Sequence, residues 1–96
     1  MHLDLSSVDA QGLIGPREGK RALSYELCVP GDEEKLAAVR AIDPSLELQK
    51  GSPGRIGCGE GEVLAIGSTH QPHWLSVLET LAELPYVERI EPHWAE

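Results

Sequence analysis

Two kinds of apolar spacing follow one another along the chain, with prolines at the changeovers, and this alternation is what most limits the fold. Leu23, Tyr25, Leu27 and Val29 alternate with Ser24, Glu26 and Cys28, the period-two signature of a strand with one buried face. Pro30 and Gly31 end that run. Asp32 then stands where a carboxylate can accept the free amide hydrogens of a helix start, and Glu33 and Glu34 fall in the first turn, where the helix dipole favours negative charge. Leu36, Ala38, Val39 and Ile42 form an apolar stripe at helical spacing. Pro44 closes this helix at or before Asp43.

Residues 46–50 alternate again, and residues 63–66 form a continuous apolar run bounded by turn signals. Such a run suits a central strand covered on both faces, or on one face plus a dimer contact. Pro72 fits the first position of a second helix, with residues 69–71 as the approach. Trp74, Leu75, Leu78, Leu81 and Ala82 recur at threes and fours, Val77 and Leu84 widen the stripe, and Pro85 stops it. Residues 86–91 make the last strand, ended by Pro92.

The resulting order, strand-helix-strand-strand-helix-strand, predicts an α+β domain of the ferredoxin-like βαββαβ kind. It implies a four-stranded antiparallel sheet with two helices on one face. Right-handed crossovers place its first and third strands centrally. The domain is expected over residues 22–96. Residues 1–21, where Gly12, Gly15, Pro16 and Gly19 interrupt short apolar pieces, read as an N-terminal arm or loop, with a brief strand conceivable around Leu3, Leu5 and Val8.

Ninety-six residues fit one domain. Aromatic residues are scarce and Phe is absent, so the core must be aliphatic. Sixteen acidic against eight basic residues leave a net charge of −8. That balance argues against nucleic-acid binding, which needs a basic face to neutralise phosphates, and against docking on an anionic membrane. No stretch approaches the roughly 20 apolar residues of a membrane span. The first fifteen residues lack a basic start followed by an apolar run, so the expected compartment is the cytoplasm. Cys28 and Cys58 can form at most one disulfide and are expected as buried or half-buried thiols.

Candidate chemistry is sparse. Five glycines within residues 51–61 suggest an anion-cradling loop, but a phosphate loop needs Lys followed by Ser or Thr at a helix start, and Gly61 leads into a strand. The stretch reads instead as a flexible or bulged hairpin. His70 and His73 lie three apart near the second helix's start, and only the fold could add His93 or Cys58 to make a metal site. Exposed imidazoles at a polar helix entrance are the simpler reading, so no metal and no cofactor are expected. Ser68 and Thr69 beside His70 read as capping residues, and Glu60 and Glu62 as a solvated hairpin tip. No nucleophile elbow occurs. The aromatic stacking pair of RNA-recognition domains is absent, as is the MxCxxC loop of metal chaperones. The loop after the first strand is acidic, unlike the Arg-bearing loop of acylphosphatases.

The segment Leu81-Ala82-Glu83-Leu84-Pro85-Tyr86-Val87-Glu88-Arg89-Ile90-Glu91-Pro92 resembles the end of the propeptide and inhibitor domains of subtilisin-type serine proteases. Those domains share the ferredoxin-like order and finish with a helix, a Leu-Pro pair, then Val-Glu and Val- or Ile-Glu. The resemblance implies a non-enzymatic protein-interaction module that packs on a serine protease and lays its tail along the cleft. Carried over by position, the partner-binding tail is Pro92, His93, Trp94, Ala95 and Glu96, an extended end able to bind as an added strand. The Gly-rich second hairpin departs from that pattern. Three other readings stand beside it: an ACT-like regulatory or small-ligand module, a homodimer through its edge strands; an enzyme or metal carrier using His70, His73, Cys58 and His93; and an acidic inhibitor of a nucleic-acid-handling complex.

Overall fold

The computed structural model describes residues 8–15, 19, 21–54 and 56–93. The first two strands, β1 (Leu13–Ile14) and β2 (Arg21–Ala22), pair antiparallel as a small ribbon of their own. The chain continues through β3 (Ser24–Pro30), helix α1 (Glu33–Ile42), β4 (Glu47–Gln49), β5 (Glu62–Ser68), helix α2 (Trp74–Glu83) and β6 (Ile90–Pro92). The four later strands form one antiparallel sheet in the order β4-β5-β3-β6. The fold is mixed α+β, with two helices and a four-stranded antiparallel sheet.

Side chains decide which face of that sheet meets the helices. Tyr25, Leu27 and Val29 of β3 and Val63 and Ala65 of β5 share one buried cluster with Leu36 and Val39 of α1 and Leu78 and Leu81 of α2. Each Leu or Val among them contributes about 1.5–3 kcal/mol on leaving water. The Asp32 carboxylate caps α1 as the sequence predicts, accepting from the Glu34 and Lys35 amides at 2.8 and 3.4 Å.

Three boundaries differ from the sequence pattern. Helix α2 begins at Trp74 rather than Pro72, because His73 adopts a left-handed backbone (φ 57°) and its side chain makes no cap bond. The last strand is Ile90–Pro92 rather than residues 86–91, since the Val87 amide donates back to the Leu84 carbonyl and holds that stretch in a turn. Pro92 is thus within the strand and not past its end, which an edge position tolerates. Residues 46–50 yield a strand of only three residues, Glu47–Gln49.

Part of the N-terminal segment, expected as an arm or loop, is tied to the domain. The Asp9 carboxylate accepts from the Gln11 and Leu13 amides. The Thr69 hydroxyl donates to the Gly12 carbonyl, and the Trp74 indole donates to the Ala10 carbonyl at 3.4 Å. Val8 packs against the core. Leu3 and Leu5 lie outside the described residues.

Candidate functional site

The second face of the sheet, opposite the helices, gathers Glu26, His93, Arg89 and the Cys28–Cys58 bond around one loop. Strand alternation points Glu26 and Cys28 of β3 to this side, away from Tyr25, Leu27 and Val29. The sequence pattern assigns that side to solvent. Glu26 is instead only 1% exposed, because the loop between β4 and β5 brings Ile56 back against its carboxylate. Gly54 (φ 65°) lies against Leu64: a Cβ there would stand 2.8 Å from a Leu64 methyl and 3.3 Å from Glu26 Oε1. The left-handed backbone and the close approach both require glycine at this position.

Ile56 is the point at which this loop is clamped. Its amide donates to Glu26 Oε1 at 2.6 Å, and its carbonyl accepts from Arg89 Nη2 at 2.6 Å. Arg89 Nη1 also lies 2.9 Å from Glu91 Oε2, an ion pair whose alignment falls short of a hydrogen bond. The other Glu26 oxygen, Oε2, meets His93 Nδ1 at 2.8 Å. Both oxygens of a nearly inaccessible carboxylate therefore have partners, the condition for burying such a group at tolerable cost.

Two residues further on, Cys58 is bonded to Cys28. The expectation of two thiols is corrected: the fold-back brings the two Cα atoms to 5.5 Å across 30 residues of sequence, a separation suited to a disulfide. The pairing depends on the path of the loop, which no local pattern specifies. A small cavity of about 90 Å³ opens beside the bond, lined by Cys28, Ile56, Gly57, Glu62, Glu88 and Arg89.

The expected metal candidates are dispersed. Cys58 is held in the disulfide and His93 by Glu26. His70 and His73 line a shallow groove at the start of α2, with Ala10, Gln11, Gln71 and Pro72. Among the described residues, no group of three or more His, Cys, Asp or Glu side chains is arranged to hold a metal ion. Of the expected tail, Pro92 pairs with Tyr25 in the sheet and the His93 amide donates to the Ser24 carbonyl at 2.9 Å. Trp94, Ala95 and Glu96 lie outside the described residues. Ser68 and Thr69 do satisfy local backbone, Ser68 Oγ accepting from the His70 amide and Thr69 Oγ1 from the Leu23 amide.

A second polar cluster lies on the helix side, around the buried Asp43. Its carboxylate accepts from the Tyr25 hydroxyl, from the Ser45 amide and hydroxyl at 3.0 and 2.6 Å, and from Gln71 Nε2 at 2.9 Å. Burial, then the hydrogen bond to Asp43 and its charge, push the Tyr25 phenol well above its ordinary range. Gln71 Nε2 also donates to the Ser68 carbonyl, joining the end of β5 to the end of α1. Every donor here is neutral, and the cluster serves as a polar pin through the core. Neither the Glu26 site nor the Asp43 pin is visible in local patterning. The one usable signal for the first was a glycine-rich connection far longer than a tight hairpin needs.

No family model, curated protein or solved structure matches the chain. Among the described residues, no helix is long and apolar enough to cross a membrane.

Proposed function

We propose that this chain is a non-enzymatic protein-interaction module of the subtilisin-type propeptide or inhibitor kind, built on a ferredoxin-like sandwich. The observation that carries the reading is the placement of the C-terminal segment. The stretch whose sequence resembles that family ends in β6, which pairs with β3 on one side and lies at the edge of the sheet. An edge strand presents unpaired main-chain groups to which an extended partner segment can add. The central position of β3 and β5, flanked by β4 and β6, supports the ferredoxin-like reading.

The roof over the second sheet face narrows the surface on offer. With Ile56 seated against Glu26, a partner meets the outer edge of β6 and the tail that follows, namely Pro92, His93, Trp94, Ala95 and Glu96. His93 is the anchor of that tail, since its ring and its amide are both held by β3. The disulfide favours an oxidising compartment over the cytoplasm expected from the sequence. A secreted serine protease is a partner consistent with that setting.

The deciding assay is inhibition of a subtilisin-type protease by the oxidised chain and by a chain ending at His93. Inhibition at micromolar concentration or below, weakened at least tenfold by the truncation, is the expected outcome. Absence of inhibition by the intact chain at micromolar concentration overturns the reading.

A further inference from the structure

We propose that Cys28–Cys58 is a reversible redox latch, whose reduction by a dithiol releases residues 51–61 from the sheet and uncovers the face formed by Glu26, Leu64 and His93. This inference stands apart from the proposed inhibitor role and is tested on the chain alone.

Three observations converge on it. The loop is fastened over a short span: the Ile56 amide and carbonyl are clamped by Glu26 and Arg89, and Cys58 is bonded to Cys28. Its other contacts with the sheet include the close approach of Gly54 to Leu64 and the Gly61 carbonyl accepting from the Gly31 amide at 2.8 Å, while a Cβ built at Gly51, Gly57 or Gly61 would meet nothing within 4 Å. The apolar residues beneath the roof form a compartment of their own. Ile56 and Leu64 are buried, yet neither belongs to the large cluster between sheet and helices, which contains Tyr25, Leu27, Val63 and Ala65. Lifting the roof therefore exposes Ile56 and Leu64 and leaves the main core packed. Finally, both cysteines are only half-buried, and Cys28 borders an open cavity. Accessible disulfides of this sort are the ones that exchange with external thiols.

The chemistry balances with a dithiol as reductant. Its thiolate attacks one sulfur of the pair, the Cys28–Cys58 bond breaks, and the other cysteine leaves as a thiolate that takes up a proton. The second thiol of the reductant, as a thiolate, then attacks the reductant's own sulfur in the mixed disulfide, and the first cysteine leaves as a thiolate that also takes up a proton. Two electrons and two protons reach the chain, which now carries two thiols, and the reductant departs as a disulfide. Release breaks the Glu26 and Arg89 bonds to Ile56, and the same two partners receive the Ile56 amide and carbonyl again when the bond re-forms.

Backbone amide order parameters, measured by NMR on the oxidised chain, the dithiothreitol-treated chain and the re-oxidised chain, test the latch. Amides of residues 52, 54 and 56–59 are expected to fall from rigid values near 0.85 to below about 0.6 on reduction. Those in β3, β5 and both helices stay near 0.85, and re-oxidation restores the loop. A loop that stays rigid after reduction overturns the proposal. So does a bond that resists dithiothreitol in the folded chain. Loss of order throughout the chain also overturns it, because the bond would then be a staple for the whole fold.

Discussion

Replacing Cys28 and Cys58 together by serine removes a cross-link between positions 30 residues apart, and the loss can be worked out from chain entropy. Closing a loop of that size lowers the entropy of the unfolded chain by about 12 cal/mol/K, which is roughly 3.6 kcal/mol at 25 °C. Both positions are half-buried, so the cavity left by two sulfur-to-oxygen changes adds little. Urea unfolding followed by circular dichroism, in the absence of reductant, measures the difference. Taking a urea dependence of about 1.5 kcal/mol/M for a chain this small, the midpoint falls by roughly 2.4 M. Domains of this size have about 5–15 kcal/mol of stability in all, so the variant remains folded in water and its transition remains measurable. A free-thiol assay on the unfolded parent confirms that the bond was present. A midpoint shift under about 0.5 M, with that bond intact in the parent, would refute the reasoning, since the cross-link would not then be constraining a 30-residue closure.

Three further outcomes follow from individual contacts. Glu26→Ala leaves the Ile56 amide and the His93 ring without their buried acceptor and should cost about 1–3 kcal/mol in the same unfolding assay; a change below 0.5 kcal/mol would mean that water replaces the carboxylate. Tyr25 ionises less readily folded than unfolded, so its contribution is complete below its ordinary pKa of about 10 and declines above it, by at most about 1.4 kcal/mol per pH unit. Urea midpoints of the parent should therefore fall more steeply above that pH than those of Tyr25→Phe, and parallel profiles would contradict the burial of the phenol. The Asp32 carboxyl is held below its ordinary range by the Glu34 and Lys35 amides. Its contribution is present above the ordinary carboxylate pKa and lost as pH falls through the depressed one, so the advantage of the parent over Asp32→Ala should shrink on acidification.

Much of the helix-facing half of the molecule was legible in local pattern. The alternation of Leu23, Tyr25, Leu27 and Val29, the Asp32 cap, and the stripes of Leu36 and Val39 and of Leu78 and Leu81 all lie where spacing put them. Each depends on residues within one or two turns of one another, and backbone geometry converts that spacing directly into a face. Helix and strand ends were less legible. The start of α2 turns on the left-handed backbone of His73, and the start of β6 on a turn ending at Val87.

The Gly67 position shows how tertiary contact enters even inside a well-read strand. A Cβ there would lie 2.6 Å from the Tyr25 ring, so this glycine makes room for the phenol that reaches Asp43. From sequence alone it is merely a weak strand residue. The candidate site was less legible still. Glu26 and Cys28 carry the spacing of solvent-facing residues, and His93 that of a tail. What unites them is a loop returning over the sheet to place Ile56 and Cys58.

From residue 23 onward the sequence by itself determined the succession of strands and helices and the residues that pack between them, because period and punctuation act over a few residues; the β1–β2 ribbon lay outside that reading. Only the tertiary structure decided that the second sheet face is roofed, that Glu26 is buried against Ile56 and His93, and that Cys28 meets Cys58. Those facts rest on contacts between positions 30 to 67 residues apart, and closing such distances depends on the path of the whole chain.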